Sequence, residues 1–112
     1  KMNPAESGTW FGVSDSQLQQ GRILAEAIQL TRKLVNLPAD EIYPETFANQ
    51  ARDVAGMLGL ECEIWDQARL EKERCGSLLA VAKGSAREAR LVILRYNGGA
   101  AGAPKLWLVG KG

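Results

Sequence analysis

Apolar residues recur at helical spacing through the first third of the chain. Leu24, Ala27, Ile28, Thr31, Leu34 and Val35 fall on one face, while Arg22, Glu26, Gln29, Arg32 and Lys33 fall on the other. This predicts a long amphipathic helix, capped by Ser14 or Ser16 with Gln17 or Gln19 as the reciprocal partner three residues on. Leu37-Pro38 ends it, because the residue before proline is pushed out of the helical region. Pro44 opens a second helix, in whose first turn a missing N–H costs nothing. Its buried face is Phe47, Ala48, Ala51, Val54, Ala55 and Leu58, and Gly59 is the stop.

The period then changes from helical to alternating. Leu60, Cys62 and Ile64 alternate with Glu61 and Glu63, the pattern of a half-buried strand. Asp66 caps a short charged helix from Gln67 to Arg74. Leu78 to Ala82 reads as a strand by its length, Arg90 to Tyr96 as a buried strand, and Lys105 to Val109 as a last one. The loop from Asn97 to Pro104 is too short for a helical crossover, so the last two strands, if paired, are antiparallel. The expected class is α/β: a small mixed sheet of three or four strands with about three helices in a layered arrangement. The last strand lacks its continuation, which predicts a piece of a larger sheet. Left uncovered, that edge invites self-association through residues 105–109.

Composition narrows the function classes. Fourteen basic and thirteen acidic residues leave the charge near neutral, which gives no footprint for nucleic acid or acidic lipid. The apolar runs are too short to span a bilayer, and the first thirteen residues do not form a secretion signal. A soluble, cytoplasmic protein is expected. Cys62 and Cys75 show no zinc-ligand spacing and are expected as reduced thiols. Histidine is absent, which removes Ser-His-Asp, Cys-His and histidine-zinc chemistry from this stretch.

One residue stands out chemically. The apolar run Leu106 to Val109 leads into Gly110-Lys111-Gly112, so a lysine amine sits at a strand end between two residues without side chains. Strand ends are where α/β proteins bind ligands. Lys111 is either a solvated surface lysine or, if its pKa is depressed beside a cation, a metal or anion ligand. The Gly98-Gly99-Ala100-Ala101-Gly102 stretch matches neither the dinucleotide fingerprint nor a P-loop and reads as a surface turn. The charged run at Arg69, Glu71, Lys72, Glu73 and Arg74 reads as a solvated helix face with local ion pairs. Trp10, Trp65 and Trp107 read as packing residues.

Three ordered blocks carry a family resemblance. Thr31-Arg32-Lys33-Leu34-Val35-Asn36-Leu37-Pro38-Ala39-Asp40 followed by Pro44-Glu45-Thr46-Phe47-Ala48 is the first. Ser77 to Ser85 is the second; Leu91 to Tyr96 with Leu106 to Gly112 is the third. Together they resemble the start of the catalytic domain of the leucyl (cytosol) aminopeptidases, with Asp40 where asparagine is common.

Residues 1–13 have no period and read as a linker or the end of a preceding domain, and the resemblance implies 14–36 as a connecting helix and 37–112 as the first part of a catalytic domain. It implies two divalent metal ions, zinc or manganese among them, that polarise a peptide carbonyl and activate water. Lys111 matches the family's lysine metal ligand, whereas the aspartate of a Phe-Asp-Ser/Thr-Gly-Gly motif and the remaining ligands fall beyond Gly112. The implied parent is a homo-oligomer, a hexamer by family, acting on peptide N-termini, and the isolated chain is expected to be inactive. The alternative is a non-catalytic α/β module that works by protein association.

Overall fold

A computed structural model of the chain describes residues 8–111. The expected linker at residues 1–13 thus lies partly outside the described residues, as does Gly112. The chain divides into two units, the first ending at Leu37 and the second beginning at Pro38.

The first unit contains one helix, α1 (Asp15–Asn36). Ser14 starts it: Gln17 N–H donates to Ser14 Oγ at 3.4 Å, and Ser14 N–H donates to Gln17 Oε1 at 2.8 Å. Two orphan donors of the first turn are thereby satisfied by one reciprocal pair. Thr31 Oγ1 donates back to the Ala27 carbonyl at 3.0 Å, which hides the hydroxyl of the apolar stripe. The stripe itself is not buried within this unit. Leu30 and Leu34 are half-buried, and Leu24, Ile28 and Val35 are exposed. A lone helix has no second element of its own unit on which to close its apolar face.

The second unit opens with α2 (Pro44–Leu58). Tyr43 has no side chain suited to capping, and Thr46 takes over. Its hydroxyl accepts from the Tyr43 N–H at 3.0 Å and donates to the Glu41 carbonyl at 2.9 Å. Gly59 ends the helix in the left-handed region, φ 66°, and the Leu60 N–H reaches back to the Ala55 carbonyl at 2.9 Å. Ala48 and Ala55 are buried and Ala51 and Val54 half-buried, as expected, but Phe47 and Leu58 are exposed.

Strand β1 (Glu61–Trp65) follows, then α3 (Gln67–Lys72), α4 (Gly76–Ala82) and β2 (Leu91–Arg95). Asp66 Oδ1 accepts from Arg69 N–H at 2.9 Å and starts α3. The stop of α3 has the same geometry as that of α2, made here by an arginine. Arg74 sits at φ 57°, with Arg74 N–H bonded to the Glu71 carbonyl and Cys75 N–H to the Leu70 carbonyl. Strands β1 and β2 are antiparallel, with Glu61 opposite Arg95, Glu63 opposite Ile93 and Trp65 opposite Leu91. Helix α2 packs on both strands, and α3 packs on β1 and α4. The buried core is small: Ala48, Ala55, Leu70 and Ala89.

The α/β class holds, with four helices and a two-stranded sheet among the described residues rather than three helices and three or four strands. Two expected strands are corrected. Leu78 to Ala82 belongs to α4, because a run this short does not distinguish strand from helix and its leucines and alanines favour helix. Lys105 to Val109 forms no strand, and β2 pairs with β1 instead of with it. An extended segment becomes a strand only through a ladder partner, and this one has none among the described residues.

Candidate functional site

Lys111 lies at the end of an irregular stretch that begins after β2. The first part folds into a turn, with Ala103 N–H bonded to the Ala100 carbonyl at 3.0 Å and Gly102 at φ 79°. Beside it the phenol ring of Tyr96 lies against Gly98, where a Cβ would oblige that exposed ring to move. The loop is an exposed surface turn, as expected. Leu106 and Val109 are then 84% and 94% exposed, and Trp107 and Leu108 are exposed with them. A Cβ built on Gly110 meets no atom within 4 Å, so the backbone beside Lys111 is open on that side.

The chemistry of the donor set decides what Lys111 can do here. Among the described residues, no three His, Cys, Asp or Glu side chains gather in a way that could hold a metal ion. One primary amine does not hold a divalent ion against water, since such a site takes several ligands in fixed geometry. The described residues thus do not fit a metal pair on their own. Cys62 and Cys75 are free, half-buried thiols.

The strongest electrostatic feature is elsewhere, on the sheet. Glu63 Oε1 accepts from the Trp65 indole N–H at 2.8 Å and lies 2.8 Å from Arg69 of α3. Its other oxygen accepts from Arg95 of β2 at 2.7 Å. The Arg69 guanidinium also lies over the Trp65 ring, 4.4 Å from its centre. The Trp65 and Arg95 hydrogen bonds, with the Arg69 charge added, hold the Glu63 carboxyl below the usual carboxylate range despite partial desolvation. A carboxylate kept ionised and fully engaged is a poor proton acceptor. It ties β1, β2 and α3 together and is structural.

Strand alternation placed Glu63 in solvent and missed this cluster, and helical spacing assigned Arg69 to local pairs. The contact to Arg95 is a diagonal cross-strand one, visible only once the register is known. Trp65 does pack, as expected, but Trp10 and Trp107 are exposed.

Two hollows lie on the second unit. An open groove of about 620 Å³ runs between α3, α4 and the loop after α4, with Glu71, Lys83, Ser85 and Arg87 among its walls. A smaller one of about 180 Å³ is bounded by Tyr43, Glu45, Arg87, Glu88 and Arg90. There Arg87 lies 4.0 Å from the centre of the Tyr43 ring, and Arg90 pairs with Glu88 at 3.0 Å. Neither joins a nucleophile to a base. No helix among the described residues is long and apolar enough to cross a membrane.

Comparison with known proteins gives these features a context. Residues 29–112 match the cytosol aminopeptidase family, catalytic domain. A probable cytosol aminopeptidase of Syntrophotalea carbinolica is 44% identical over 108 residues, 96% of this chain and 22% of the relative. One of Rhodopirellula baltica is 42% identical over 107 residues, covering 96% and 21%. One of Methylorubrum extorquens is 49% identical over 90 residues, covering 80% and 18%. The chain spans about a fifth of the length of these curated relatives. With the family match running from within α1 to the glycine after Lys111, the chain belongs to the cytosol aminopeptidase family, and residues 29–112 to its catalytic domain.

Proposed function

We propose that this chain is the opening segment of the catalytic domain of a metal-dependent aminopeptidase that removes N-terminal residues from peptides. The activity belongs to a larger protein; the 112 residues by themselves are inactive. One observation carries the reading: the family match extends through the exposed apolar run and Gly110-Lys111, the position of the lysine ligand in the resemblance. Lys111 is then one ligand of a pair of divalent ions, zinc or manganese, whose other ligands come from outside these residues. The chain's own contribution is to present that amine beside a backbone free of side chains.

In the same reading α1 connects into the catalytic domain, whose family match begins within it at residue 29. The whole protein is a cytoplasmic homo-oligomer, a hexamer by resemblance, with peptides as its substrates. The exposed residues 105–109 are covered in the whole protein and are a self-association surface when the segment stands alone.

The test is hydrolysis of a leucine anilide by three proteins: the full-length parent, its Lys111→Ala variant, and the 112-residue chain. The expected result is turnover by the parent that a chelator abolishes and manganese or zinc restores. Lys111→Ala is expected to lower it by about 100-fold or more, since even residues that only orient metal ligands cost about 10–100-fold. The short chain should be silent. Turnover by the short chain, or a fully active Lys111→Ala parent, would overturn the proposal.

A further inference from the structure

We draw no further inference here: the strongest candidate, the hollow of about 180 Å³ where Arg87 lies over the Tyr43 ring beside the start of α2, rests on a helix N-terminus and an arginine whose neighbours Glu45 and Glu88 balance the local positive charge, and nothing in the structure points to a ligand there.

Discussion

Gly59→Ala and Arg74→Gly form an opposed pair, because α2 and α3 stop by the same left-handed geometry with different residues. Gly59 sits at φ 66°, ψ 32°, and a Cβ built there meets nothing within 4 Å. The cost of alanine is therefore conformational alone. A side chain in the left-handed region costs about 1–2 kcal/mol. Restricting the unfolded chain returns about 0.4–1 kcal/mol. Gly59→Ala should thus destabilise the second unit by about 1 kcal/mol on the balance of those two effects. Arg74, at φ 57°, already bears that strain, and its side chain forms no ion pair among the described residues. Arg74→Gly should stabilise by about 0.5–1 kcal/mol, from the same two effects with signs reversed.

Urea unfolding reads both changes. At a slope of about 1–2 kcal/mol per molar, 1 kcal/mol moves the midpoint by about 0.5–1 M. Trp65 is the reporter, half-buried under Arg69, once the exposed Trp10 and Trp107 are replaced by phenylalanine. Gly59→Asn should lose less than Gly59→Ala, because asparagine tolerates the left-handed region. If both main variants moved the midpoint in the same direction, the backbone explanation of these two stops would be wrong.

Glu63→Gln should lower the urea midpoint at neutral pH and low salt, and 1 M salt should shrink the difference. The folded carboxyl titrates below its unfolded value of about 4.3, so its contribution is complete above that pH and fades as pH falls through the lower folded value. The gap between wild type and variant should close on acidification; a gap that persists at pH 2 would refute the ionic origin. Leu70→Ala removes the one large side chain buried without residual exposure among the described residues and should cost about 2–5 kcal/mol, enough to broaden or abolish the thermal transition of the second unit. A cooperative transition shifted by less than about 4 °C would show that Leu70 is not central to the core. Leu108→Lys should reduce any concentration dependence of the sedimentation coefficient of the 112-residue chain, and an unchanged dependence would place self-association elsewhere than residues 105–109.

The starts of α1, α2 and α3 were legible in the sequence because capping is local, whereas that of α4 was not. The Ser14–Gln17 pair, Pro44 in the first turn of α2 and the Asp66 cap all act within three residues of the boundary they set. The stop at Gly59 was legible for the same reason. Arg74 was not, since nothing in an arginine signals positive φ. Strand identity was lost where it depended on a distant partner. Leu78–Ala82 had no alternation to exclude a helix, and Leu106–Val109 looks like a strand without a ladder to belong to. Lys111 was visible because glycines isolate it. The Glu63 cluster was invisible because its members lie on β1, α3 and β2 and meet only through the register.

The two strands are joined by the whole segment from Asp66 to Arg90, including α3 and α4, and by no tight hairpin. Closing a loop of that length must be paid in chain entropy before any ladder bond forms. The α3–α4 pair, built from local contacts, shortens the gap and brings Arg69 to the β1 side of it. Loop-closure entropy thus predicts an order of folding for the second unit, with the helical insert assembled first and β2 docking last onto a Glu63 held by Arg69, and mutational folding kinetics would test it. Weakening α3 then slows folding, whereas weakening the Arg95 contact mainly speeds unfolding.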